Sequence, residues 1–329
     1  MRDAPSNPSI PLIEARGLKK YFDTPAGKLH AVDGVSFAIR RGQTLGVVGE
    51  SGCGKTTVGR ALLMLQPPTD GQILFKGVDI TRLPQRELKG LRAKLQIIFQ
   101  DPFSSLNPRM TVYEAIAHPL IIHGIYRASA RAEGRVLKLM EMVGLTRRVV
   151  NTYPHELDGG RRQRVVIARA LALEPEFIVC DEPVSALDVS IQAQILNLLQ
   201  DLQEAIGLTY LFITHNLAVV KHFSTEIAVM YLGQVVESAP TAALFRNPLH
   251  PYTRALISAI PTVNIHAKQE RILLRGEIAS PVNPLPGCRF AKRCVFAAPR
   301  CVGRDLPAEE AEPGHRVACA RWRENLTPT

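Results

Sequence analysis

Residues 49–57 read GESGCGKTT, a G-x-x-x-x-G-K-[ST] pattern that follows the apolar run TLGVVG and opens a helix-like stretch reaching Leu65. No other feature restricts the chain so sharply. Gly49 and Gly54 let a backbone wrap an anion, Gly52 adds a third position without a side chain, and Ser51 and Thr57 share the loop. Lys55 is spaced to reach β- and γ-phosphates, and Thr56 offers its hydroxyl to a magnesium ion. The order of strand, glycine-rich loop and helix is that of a phosphate-binding βα unit, so an α/β nucleotide-binding fold is expected.

The rest of the chain agrees with that order. Residues 12–48 alternate strand-like stretches with turn residues at Gly34 and Gly42, and residues 109–150 carry helical periodicity. RRQRVVIARALA reads as a helix up to Pro175, FIVCDEP as a buried strand, SIQAQILNLLQDLQEAIG as an amphipathic helix ended by Gly207, and TYLFITH as a second buried strand. From about Phe245 the composition shifts to Pro, Arg and Cys, which reads as a second, smaller module. A length of 329 residues fits two domains, and 46% apolar residues suffice for a sizeable core. The formal charge of +10 favours acidic partners such as nucleotide phosphates, nucleic acid or an anionic membrane face, although a solvated basic surface explains it equally. No apolar run approaches the roughly 20 residues of a membrane span, and MRDAPSNPSIP lacks a signal-peptide core. The chain is therefore expected in the cytoplasm, with any membrane spanning left to other subunits.

Two adjacent carboxylates end the strand FIVCDEP. Asp181 is placed to hold magnesium, usually through water, and Glu182 to polarise an attacking water. His215 closes FITH, one step beyond another apolar strand, where phosphate-binding groups converge. In ELDGGRRQR, Gly159 and Gly160 open a helix, whose N-terminus suits an anion. Asp158 stands in front of them: a good N-cap, yet a charge that repels phosphate. Arg161, one turn along, can offset it.

These motifs occur in the order found in the nucleotide-binding subunits of ABC transporters, which the chain resembles from about 12 to 245. Gln100 in IIFQDP is similar to the Q-loop, Ser185 to Asp188 (SALD) to the D-loop, and His215 to the switch histidine. The resemblance implies an α/β P-loop NTPase with a RecA-like core, an antiparallel β subdomain and a helical subdomain over about 101–160. Residues 1–11 would form an N-terminal tail, 12–245 the ATPase domain and 246–329 a small cysteine-containing C-terminal extension. It further implies that Tyr21 stacks on adenine and that Gln100 joins Thr56 and Asp181 at magnesium. Lys55, Gln100, Glu182 and His215 would serve hydrolysis. In that family two subunits sandwich two ATPs, and ELDGGRRQR stands where the signature of one subunit caps the nucleotide of the other. Asp158 replaces the usual Ser and Arg161 the usual Gln. Two readings follow: a working variant, or a weakened site in an asymmetric pair.

HPYTRALISAIP followed by PLPGCRF resembles the C-terminal extension of oligopeptide and dipeptide importers, nickel-transporting relatives included. The implied function is an ATP-hydrolysing subunit that energises import of peptides or related small solutes. The implied partners are a second, related but different ATPase subunit, two transmembrane permease subunits and an extracytoplasmic solute-binding protein, without nucleic acid, at the cytoplasmic face of the membrane. A soluble ABC ATPase acting on nucleic acid or ribosomes, and a non-hydrolysing regulatory subunit, are the alternatives. Cys288, Cys294, Cys301 and Cys319 are separated by five, six and seventeen residues. Such clustering in a cytosolic chain argues for a metal site rather than disulfides. No pair is a C-x-x-C, so zinc fits poorly. Four thiolates suit an iron–sulfur cluster, free thiols remain open, and the resemblance implies a 4Fe–4S cluster here. Cys53 is expected to be alkylation-sensitive and Cys180 to be a core residue.

Overall fold

Alternating burial builds the first sheet. Ile13, Ala15 and Leu18 face inward from the strand Ile13–Thr24, which pairs antiparallel with Gly27–Ile39 on one side and with Asp70–Phe75 on the other. A short strand, Val78–Asp79, completes the edge. Gly17 takes φ 56° between the shifted registers at Ala15 and Leu18, a conformation glycine adopts without steric cost.

The computed structural model describes residues 10–126, 129–261, 271–274, 276–277 and 279–324. Of the N-terminal tail expected over 1–11, all but Ile10 and Pro11 lies outside the described residues. The chain divides into two compact units. A phosphate-loop unit comprises Ile13–Ile39, Thr44–Thr81 and the chain from Ile213 onward; a helix-rich unit comprises mainly Arg40–Gln43 and Arg82–Phe212.

In the phosphate-loop unit every residue of the strand Thr44–Val48 is buried. It runs parallel with Glu226–Tyr231, from Leu45 beside Glu226 to Val48 beside Val229, and Glu226–Tyr231 pairs antiparallel with Gln234–Pro240. The C-terminal segment then returns to this sheet. His315–Val317 pairs with Gln234–Pro240, and Glu309–Glu312 adds a further strand. Upstream, the Lys28 N–H donates to Asn283 Oδ1 at 2.9 Å and the His30 N–H to the Pro281 carbonyl at 3.0 Å. The helix after the phosphate loop spans Lys55–Leu62, shorter than the run to Leu65 expected from sequence. Met64 takes φ 53° and the Leu65 N–H bonds back to the Arg60 carbonyl at 2.9 Å, a left-handed helix ending of the kind glycine usually makes.

In the helix-rich unit, Leu95–Ile98 runs parallel to Phe177–Asp181, with the strand Thr209–Thr214, which belongs to this unit as far as Phe212, next in order. FIVCD and TYLFIT are buried throughout, as continuous apolar runs are in parallel sheets covered on both faces. The helical insert forms Val112–Ile122 and Glu133–Met142. Thr111 and Glu114 make a capping box at the first, with contacts of 3.2 and 2.8 Å. Both helices pack on Gly159–Leu171. Gly207, at φ 69°, ends the helix Val189–Ile206. Among the described residues no helix is long and apolar enough to cross a membrane.

Candidate functional site

The phosphate loop is built around backbone that no side chain could share. At Gly49 (φ 157°) a Cβ would lie 2.2 Å from the Met230 carbonyl oxygen, and at Gly54 (φ 103°) 2.0 Å from that of Ala31. Gly54 is the N-cap, so the helix Lys55–Leu62 starts directly on the loop, and its first N–H groups face whatever the loop encloses. Lys55 is only 5% exposed. Its Nζ donates to the Gly49 carbonyl at 2.8 Å and to the Glu50 carbonyl at 2.9 Å. Ser51 and Gly52 are exposed; Thr56 and Thr57 are half-buried. A cavity of about 290 Å³ adjoins loop residues 50–53 and is also lined by Ala279, Ser280 and Pro281. Cys53 is buried, and burial pushes its thiol up. Cys180 is a core residue, as expected.

Sequence reasoning missed the groups that hold this loop. The Glu50 N–H donates to Tyr252 Oη at 3.0 Å, and its carboxylate receives Arg293 through both terminal nitrogens at 2.7 and 3.1 Å. The available signal was chemical: an acid inside a loop shaped for an anion calls for a cation elsewhere.

Tyr21 lies in the same unit. Its ring stacks on His30, centroids 3.9 Å apart and planes 22° from parallel, and its hydroxyl donates to Asp33 at 2.5 Å. Burial and then the Asp33 hydrogen bond push the phenol up. His215, also in this unit, is exposed and follows the strand Thr209–Thr214. Asn216 caps the next helix, Leu217–Phe223, accepting from the Ala218 N–H at 2.9 Å.

The helix-rich unit carries the carboxylates and ELDGGRRQR. Asp181 is 4% exposed at the end of its strand. Glu182 takes φ 48°, a left-handed conformation costly for a non-glycine residue and characteristic of functional sites. Gln100 Nε2 donates to its carboxylate at 3.1 Å, and Ser185 Oγ to its carbonyl at 3.1 Å. Asp158 is the N-cap of Gly159–Leu171. Its Oδ1 accepts from the Arg161 N–H at 2.7 Å, and its Oδ2 lies 3.4 Å from Arg161 Nε. The carboxylate is thus engaged on both oxygens by residue 161. A Cβ at Gly159 would meet Leu187 at 3.0 Å, and one at Gly160 would meet Ile191 at 2.8 Å. The two glycines therefore let this helix approach the SALD turn, where Asp188 accepts from the Ile191 N–H at 2.9 Å.

The iron–sulfur expectation is corrected. Among the described residues no group of three or more His, Cys, Asp or Glu is placed to hold a metal ion. Cys288, Cys294, Cys301 and Cys319 are free thiols lining one cavity of about 10 Å³, which is room for roughly one water. Burial pushes Cys288 up to about 12 and raises Cys294 and Cys319.

The ABC transporter family model matches residues 32–185, and the model for the oligopeptide/dipeptide transporter C-terminal region matches 236–301. Over 323 residues the chain is 52% identical to the putative oligopeptide transport ATP-binding protein YkfD of Bacillus subtilis, covering 97% of this chain and 98% of the relative. It is 48% identical over 318 residues to the dipeptide transport ATP-binding protein DppF of Haemophilus influenzae, covering 94% and 97%. The dimeric ATP-binding cassette MJ0796, solved in a post-hydrolysis state with ADP and Pi, is similar with a TM-score of 0.63 at 30% identity, covering 70% of this chain and 98% of that one.

Proposed function

Because the chain belongs to the ABC transporter family, as an ATP-binding protein of its oligopeptide and dipeptide branch, we propose that it binds and hydrolyses ATP to energise import of peptides or related small solutes. The observation that carries this reading is the near-full-length match to peptide-transport ATP-binding proteins, C-terminal region included. It favours an importer over a soluble ATPase acting on nucleic acid or ribosomes.

In this reading Gly49 to Thr57 and Lys55 bind the phosphates, Tyr21 the adenine through the ring face turned away from His30, and Gly159 and Gly160 a partner's nucleotide. Thr56, Gln100 and Asp181 fit a magnesium ion, since hydroxyl, amide and carboxylate oxygens are the hard donors it takes; the bound ion neutralises phosphate charge. Gln100 donates its Nε2 to Glu182, which leaves its oxygen for that purpose. Glu182 orients and polarises the attacking water, and His215 supports it from its strand end. The doubly engaged Asp158 supports the working-variant reading of the signature, with Arg161 neutralising the carboxylate that faces the partner's phosphate. The chain works at the cytoplasmic face of the membrane with a second, related ATPase subunit, two permease subunits and an extracytoplasmic solute-binding protein. Residues 246–329 form its C-terminal extension.

The test is ATP turnover by the chain alone and mixed with a related ATPase subunit. Glu182→Gln should retain ATP binding and lose turnover; unchanged turnover would remove Glu182 from its role.

A further inference from the structure

Glu50 is an odd residue for a phosphate loop, because its carboxylate lies beside groups that must receive phosphate. The structure shows all three of its polar groups engaged: the N–H on Tyr252 Oη, the carbonyl on Lys55 Nζ and the carboxylate on Arg293. Two of those three partners come from the chain beyond residue 245. Arg293 is only 8% exposed and leans over the Tyr231 ring, 5.9 Å from its centroid. Tyr231 packs edge-on against Tyr252 and Phe290, with centroids 4.9 and 5.3 Å away.

Phe290 and Arg293 belong to one tight turn around Ala291–Arg293. Arg289, just before it, reaches a second element. It donates to Asp33, which also accepts from Tyr21, and to the Leu232 carbonyl. A single C-terminal turn thus ties down both the phosphate loop and the aromatic residue assigned to adenine.

We propose that Arg293 is a positioning residue for nucleotide binding. By holding the Glu50 carboxylate it neutralises the acid within the loop and fixes the Glu50 carbonyl that orients Lys55. Planar, two-point recognition suits this task, since a guanidinium sets the direction of a carboxylate as well as its charge. The proposal rests on the reading of residues 49–57 as the ATP site. In it the C-terminal region is part of the nucleotide site.

The experiment uses the full-length chain with magnesium, ADP and a non-hydrolysable ATP analogue, with affinities measured by calorimetry well below the unfolding transition. Arg293→Met should weaken both nucleotides by about ten-fold, the scale of one misplaced charge-assisted hydrogen bond, and Arg293→Lys by less. Glu50→Gln, which leaves the fold's volume intact, should also weaken binding and serves if Arg293→Met does not fold. Wild-type affinity in a folded Arg293→Met, or in Glu50→Gln if that variant must decide, overturns the proposal. So does weakening that merely tracks a lowered melting temperature of the nucleotide-free chain. Lys55→Ala separates the two layers: if it leaves affinity unchanged, the ATP reading of the loop fails, whereas weakened binding in Lys55→Ala with none in Arg293→Met sinks the positioning role alone.

Discussion

Truncating Phe290 to alanine tests whether the C-terminal segment is structurally part of the phosphate-loop unit. The ring is 2% exposed and contacts Tyr231, Tyr252 and His250 at centroid distances of 5.3, 5.4 and 5.7 Å. Losing a buried Phe side chain costs about 3–5 kcal/mol when the site cannot collapse, and three flanking rings are stiff walls. Phe290→Leu keeps most of the apolar volume and should cost about 1–1.5 kcal/mol. The chain has a single tryptophan, Trp322, whose Nε1 donates to Glu309 at 3.1 Å. Its fluorescence reports on the C-terminal strands directly, while far-ultraviolet circular dichroism reports on all elements. In urea titrations both signals should shift together in Phe290→Ala, because His315–Val317 is hydrogen-bonded into the same sheet as the strand before the phosphate loop. A fluorescence transition that moves alone, with the dichroism midpoint unchanged, would refute the reasoning and make the segment a separately folding appendage.

Three further outcomes are expected. Gly54→Ala should abolish nucleotide binding, because its Cβ would sit 2.0 Å from a backbone carbonyl at φ 103°; calorimetry showing wild-type affinity would contradict the loop geometry. Asp158→Ser keeps an N-cap and should leave stability unchanged, whereas Asp158→Ala should lose about 1 kcal/mol of helix capping in urea unfolding; equal losses would mean that the cap at 2.7 Å contributes nothing. His250 is held neutral, its pKa lowered to about 4 by burial and only partly restored by Glu237. The unfolded chain then binds more protons between pH about 6.5 and 4, so stability is complete above that window and falls through it by about 3 kcal/mol. His250→Asn, which can still cap the helix Pro251–Ser258, should show a shallower loss between pH 7.5 and 4.5.

What was legible in the sequence is what depends on neighbours in the chain. GESGCGKTT, the two apolar strands with their terminal carboxylate or histidine, and the glycine-ended helix at Gly207 each carry their geometry within a dozen residues. The early stop at Leu62 was not legible, because a methionine in a left-handed turn has no compositional mark. Nor was the Glu50–Arg293 pair, separated by 243 positions, or the three-residue strand His315–Val317, too short for a period. The four cysteines misled in the opposite way: their clustering is real, since they line one cavity, but among the described residues no group of three or more is placed to hold a metal ion.

The interleaving of the phosphate-loop unit has a consequence in time. Thr44–Val48 is made early, its parallel neighbour Glu226–Tyr231 some 180 residues later, and Tyr252, Arg289 and Arg293 later still. During synthesis every segment of the helix-rich unit is made once the chain reaches Phe212, while the phosphate loop waits for contacts at the far end of the sequence. Nucleotide competence is therefore acquired last, and an interrupted chain that stops short of Arg293 leaves the loop's acid without its cation.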